Sequence, residues 1–196
     1  MALNLEKMHT ARAKTERIPE DTYMGRIQAM IDLGIQPQTD WQTKEPTDSK
    51  PRVLITWALP TETLSIEHND GTVEEKPRWI SKEYTLSNHE KSNIVKLIAA
   101  LKPGCKQLPE LLDAPCMVSV GSTITGNAKV TTVSKAPSAM PVPELSEPPY
   151  FFDFDAPEQA HFDAMPRWAQ EKVMEAENYT GFADDWYEAD DQKDAA

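Results

Sequence analysis

One helical pattern sits inside a chain otherwise patterned for strands, and its position constrains the fold more than any other feature. Ile94, Leu97, Ile98 and Leu101 fall at i, i+3, i+4 and i+7 and make one apolar stripe. Ser87 and Glu90 have the spacing of a capping box, which predicts the helix start. Pro103-Gly104 stops it. Three strand patterns precede this helix. In Tyr23–Ile35, Ile27, Ala29, Ile31, Leu33 and Ile35 alternate with Arg26, Gln28, Met30, Asp32 and Gly34. In Arg52–Leu59, Val53, Ile55, Trp57 and Leu59 share one face, and in Arg78–Leu86, Ile80, Tyr84 and Leu86 are in phase. Two more strands follow, Cys116–Ile124 and Ala128–Val133, joined by the turn signal Thr125-Gly126-Asn127. Residues 36–50 and 60–77 read as long polar connections, the second carrying Asn69-Asp70-Gly71.

Five strands with a helix between the third and fourth predict a mainly β fold. The specific expectation is an OB-fold-like five-stranded barrel, with another small barrel or an α+β sandwich as the competing architectures. Residues 22–137 would form this domain and residues 1–21 an N-terminal arm. Residues 138–196 would be a Pro-rich linker and an acidic, aromatic tail, with a short helix over Pro166–Asn178.

Charge separates these parts. Residues 1–21 and 22–136 are each neutral, so the net −12 of the protein lies entirely in the last 60 residues. That stretch also holds all five Phe. Such asymmetry predicts an interaction tail. Residues 1–22 mix basic and acidic side chains with no apolar run, unlike a secretory signal. No stretch is apolar enough to span a bilayer. A soluble protein in a cytoplasm, with Cys105 and Cys116 reduced, is the expectation.

Catalytic signatures do not occur. There is no Gly-x-Gly-x-x-Gly, no phosphate-binding Gly-x-x-x-x-Gly-Lys-Ser/Thr, no His-Glu-x-x-His and no Cys-x-x-Cys. His9, His68, His89 and His161 are scattered through polar contexts. Neither an enzyme nor a cofactor is expected. Binding remains, and single-stranded nucleic acid requires cations along a groove with aromatic faces for stacking. Strand phasing turns Arg26, Arg52, Trp79 and Lys129 away from the core, with Arg78 and Lys82 flanking Trp79. Trp57, Tyr23 and Tyr84 are assigned to the core by the same parity. In the tail, Phe152, Phe154, Trp168, Asp184, Asp185, Trp186 and Tyr187 are the candidates for a partner surface.

The run Arg78-Trp79-Ile80-Ser81-Lys82-Glu83-Tyr84-Thr85-Leu86-Ser87, with Glu90-Lys91-Ser92-Asn93 and Leu111-Leu112-Asp113-Ala114-Pro115-Cys116, resembles a family of small bacteriophage and prophage proteins. Phe152-Asp153-Phe154-Asp155 and Met165-Pro166-Arg167-Trp168-Ala169-Gln170-Glu171-Lys172 fit the same pattern, so the resemblance runs from about Tyr23 to Tyr179. It implies an OB-fold, a place in replication or recombination inside the host cell, and single-stranded-DNA binding. A polymerase, nuclease or recombinase would be the partner of the tail, and a homo-oligomer is compatible with it. The alternative is a protein–protein interaction module, or a DNA-mimicking inhibitor of a host enzyme acting through the tail. If the tail competes for the cationic groove, deleting residues 140–196 should raise affinity for oligo-dT at low salt.

Overall fold

A computed structural model describes residues 17–40, 42–67, 72–184 and 186. It is a mainly β protein built on one six-stranded sheet: β1 (Asp21–Thr39), β2 (Pro46–Glu67), β3 (Val73–Thr85), β4 (Pro115–Ser122), β5 (Ala128–Lys135) and β6 (Tyr150–Phe152). The path β3-β2-β1-β4-β5 is antiparallel throughout. β6 is parallel to β1 and takes the edge that β4 leaves: β4 pairs Asp21–Arg26, and β6 pairs Ala29–Ile31. Among the described residues three α-helices, α1 (Asn93–Leu101), α2 (Gln159–Ala164) and α3 (Arg167–Met174), and a short 3-10 turn over Leu108–Leu111 complete the fold.

The sheet curls so that its two ends share one core. Ile80 of β3 and Val130 of β5 are buried in the same cluster as Ile27, Ile55, Trp57 and Val118. No backbone ladder joins β3 to β5 among the described residues, so the sheet stays open. α1 closes one end, burying Ile94, Leu97 and Leu101. Each fully buried side chain of this kind contributes about 1.5–3 kcal/mol. Trp57, Tyr23 and Tyr84 lie in this core as their parity requires, and Trp57 meets Tyr84 edge-on at 6.4 Å. The helix starts later than the capping box suggests. Ser92 is the N-cap, its hydroxyl accepting from Val95 N at 3.3 Å, while Ser87 Oγ accepts from His89 N in the preceding turn. The two long polar connections shorten as well. β2 and β3 continue as a ribbon past Leu59 and Arg78, with Leu64–Lys76 and Ile66–Glu74 paired beyond a bulge.

The largest departure from expectation is in β1. Strict alternation would put Ile27, Ile31 and Leu33 on one face. Register shifts between Ile27 and Ala29 and between Asp32 and Ile35 break the parity. Ile27 and Met30 therefore face the first core, while Ile31 and Leu33 face the opposite side with Leu54 of β2. That second face is covered by the C-terminal segment. Phe152, Phe154, Phe162, Met165, Ala169, Val173, Ala176 and Ala183 pack there, making a second core across the sheet from the first. Residues 150–184, expected as part of the tail, carry a strand of the same sheet and the layer on its outer face. The remaining acidic end, beyond Trp186, lies outside the described residues.

The linker between the two layers is fixed by side chains of β1 around the point where the pairing with β4 ends and that with β6 has not begun. Arg26 donates to the carbonyls of Val142, Pro143 and Asp113 at 2.8–3.1 Å. Gln28, 2% exposed, donates to the Pro148 carbonyl at 3.0 Å.

Candidate nucleic-acid interface

The structure separates the six candidate contacts into three groups. Arg26 and Arg52 are engaged within the fold. Beyond its three carbonyls, Arg26 pairs with Asp113 at 3.1 Å. Arg52 pairs with Glu83 at 3.3 Å and donates to Gln38 Oε1 at 2.9 Å. Both guanidinium groups point away from the first core, as phasing predicts, and each is held by partners within the fold. Their partners are backbone carbonyls, the Gln38 amide oxygen and the carboxylates of Asp113 and Glu83, which strand parity cannot reveal.

Trp79 and Arg78 form the second group. Trp79, on the outer face of β3 and paired with Ala58, is 38% exposed. It lies between two adjoining grooves that also share Ile18. The first, about 440 Å³, is lined by Leu64, Ile66, Lys76, Arg78 and Glu147. Arg78 donates from Nε to the Thr63 carbonyl at 3.2 Å, and Lys76 lies 3.4 Å from Glu74. The second groove, about 390 Å³, is lined by Thr56, Ser81, Ala128, Tyr150 and Trp168. Trp168, placed on α3 by the folded C-terminal layer, is 45% exposed. Tyr150 stacks on His161 at 5.6 Å, and burial pushes its phenol up to about 12, so it stays neutral. Tyr150 was not among the sequence candidates. Three consecutive aromatic residues at 150–152 were the available signal, since such runs favour strands.

Lys82 and Lys129 form the third group, on the seam between the sheet's two free edges. Lys82 Nζ donates to the Val130 carbonyl of β5 at 3.0 Å and lies 5.4 Å from the Tyr84 ring centroid. Desolvation, then the neighbouring Lys129, lowers its pKa. A small cavity of about 170 Å³ opens beside it, lined by Lys96, Asn93, Thr131 and Thr132.

The tail candidates divide in the same way. Phe152 and Phe154 are buried in the second core, which leaves neither ring for a partner in the folded chain. Trp186 packs on Phe182 at 5.2 Å and Phe162 at 5.7 Å. Asp184 is exposed at the end of this layer, and Asp185 and Tyr187 lie outside the described residues. Cys116 is buried with its thiol pushed up to about 12 by desolvation, and its Sγ lies 3.3 Å from the Gly25 carbonyl. Among the described residues no three His, Cys, Asp or Glu side chains gather as metal ligands, and no helix is long and apolar enough to cross a membrane.

Comparison with protein-family models, with curated proteins and with solved structures finds no match to this chain.

Proposed function

We propose that this chain binds single-stranded DNA, with bases stacked on Trp79 and Trp168. The observation that carries the reading is that these two half-exposed indoles, from β3 and α3, line one groove on the outer face of the sheet. Stacking on an aromatic face is tolerant of sequence and contributes about 1–3 kcal/mol per base. The strand order supports an OB-fold reading, in which the path β3-β2-β1-β4-β5 is the barrel left unlaced between β3 and β5. OB-folds bind oligonucleotides on the face of strands 2 and 3, the face that Trp79 occupies.

In this reading the C-terminal layer builds part of the site by supplying Trp168, and does not compete for it. Recruitment of a replication or recombination partner falls to the acidic end from Asp184 onward. That fits the resemblance to phage replication proteins and the concentration of charge in the last 60 residues.

The test is tryptophan fluorescence titrated with oligo-dT and with duplex DNA. Quenching by the single strand is expected, with Trp79→Ala and Trp168→Ala each weakening affinity by about 1–3 kcal/mol. Equal response to duplex, or unchanged affinity in both variants, would overturn the assignment.

A further inference from the structure

We propose that the seam between β3 and β5 is a phosphate-binding site, formed by Lys82 and Lys96, which line the small cavity with Thr131 and Thr132, and by Lys129 on the adjoining part of β5. As a track for the backbone of a single strand, this inference rests on the reading above.

Lys82 from β3 and Lys96 from α1 line the same cavity, and Lys129 from β5 lies near enough to Lys82 to repel its charge. Among the described residues, no carboxylate lies within ion-pair distance of any of them. Arg26, Arg52, Lys76, Lys102 and Lys172 each have an acidic partner; Lys44 and Lys50 also lack one among the described residues but line no cavity with a second amine. Partial burial raises the cost of leaving Lys82 uncompensated, and Lys129 adds repulsion. Among the described residues its acceptor is the Val130 carbonyl, which uses a single ammonium proton and leaves two. The first turn of α1, where Asn93 lines the cavity, carries no acidic side chain, so the positive end of that helix is also uncompensated. At about 170 Å³ the cavity is less than half the volume of either groove at Trp79, which suits an oxyanion better than a base.

Ser81 and Ala128 line the second groove, and Lys82 and Lys129 follow them directly along β3 and β5, so the two sites are neighbours on the same pair of strands. A strand whose bases stack at Trp79 and Trp168 would carry its phosphates along β3 and β5 toward the start of α1. Counterion release makes this measurable, since each phosphate contact to a single strand adds about 0.7 to the slope of log affinity against log salt.

Oligo-dT affinity of the full chain is measured across salt for wild type, Lys96→Gln/Lys129→Gln and Trp79→Ala. Both lysines are exposed, so the double variant should keep its fold. Its slope should fall by about 1.4, while Trp79→Ala loses affinity with the slope retained. Lys44→Gln/Lys50→Gln, around the β1–β2 turn, should leave the slope in place. An unchanged slope in the seam variant, or an equal fall in the control, would overturn the site with DNA binding intact. If wild type does not bind oligo-dT, the single-strand reading fails and the site is judged with pyrophosphate by amide NMR. Shifts at Lys82, Thr131 and Thr132 that vanish in Lys96→Gln/Lys129→Gln support it, and no shifts in wild type overturn it.

Discussion

Lys172 of α3 donates to Glu83 of β3, a contact across 89 residues that joins the C-terminal layer to the outer face of the sheet. The same carboxylate receives Arg52 from β2. The polarity is the reverse of what the charge distribution suggests, because the acidic segment supplies the cation and the neutral sheet the anion. A double-mutant cycle of Glu83→Gln and Lys172→Met, read by urea unfolding, should give a coupling of about 1 kcal/mol that shrinks with salt. No coupling would mean that the layer is held by its apolar contacts alone.

Gly34 should tolerate no side chain. It sits at φ +69°, within the irregular stretch of β1 between Asp32 and Ile35, and an added Cβ would lie 2.7 Å from Phe154 and from Asn178 Oδ1. The left-handed backbone and the overlap together predict that Gly34→Ala costs about 2–5 kcal/mol. The measurement is chemical denaturation, with near-ultraviolet circular dichroism reporting the aromatic cluster around Phe182.

Removal of residues 140–196 should not yield a better DNA binder. It would uncover Ile31, Leu33 and Leu54, remove β6 from β1 and delete Trp168. The expected product binds the dye ANS, aggregates and loses oligo-dT affinity. A soluble truncation with higher affinity would restore the competing-tail expectation.

The two thiols should differ in reactivity. Cys116 is fully buried with its thiol held protonated, whereas Cys105 is partly exposed in the loop after α1. A native thiol assay should count one fast group, and denaturation should release the second.

Asp32 gives a pH signature. Desolvation is the largest cause of its raised pKa, with Asp155 and Asp153 adding to it against the opposing Gly34 N–H. A carboxylate whose folded pKa lies above its unfolded one costs stability once both states ionise. That cost disappears as the pH falls through the window from the raised value to the ordinary one. Asp32→Asn can still accept from Gly34 N, so it should raise Tm at neutral pH. Its advantage over wild type should vanish toward the ordinary carboxylate range, and an advantage independent of pH would show another cause.

Strand order was legible because Val53, Ile55, Trp57 and Leu59 alternate without interruption and Pro103-Gly104 ends the helix cleanly. The second core was not. Bulges in β1 change which face Ile31 and Leu33 present without altering the sequence pattern, and the complementary Phe152, Phe154 and Phe162 are diluted among acidic residues. Low mean hydropathy in that stretch reflects its solvent side and hides the few rings that anchor it. The helix start was misplaced for a local reason. Ser87-x-x-Glu90 has both capping partners, while Ser92 has Val95 where a reciprocating Glu would stand. Within the candidate site, Trp79 could be found by parity. The engagement of Arg26 by the Val142 and Pro143 carbonyls could not, because it depends on a linker 116–117 residues away.

The bracket around Ile35, whose amide donates to Asn178 and whose carbonyl receives Glu177, spans 143 residues for the first of these bonds. During synthesis at about 5–20 residues per second, the first strand therefore waits roughly 7–30 s for the segment that shields its outer side. Over that interval the nascent chain presents aliphatic β surface to whatever lies near the ribosome exit. Codon choice between Pro137 and Tyr150 sets part of that delay, so slower translation there should lower the yield of native protein without changing one amino acid.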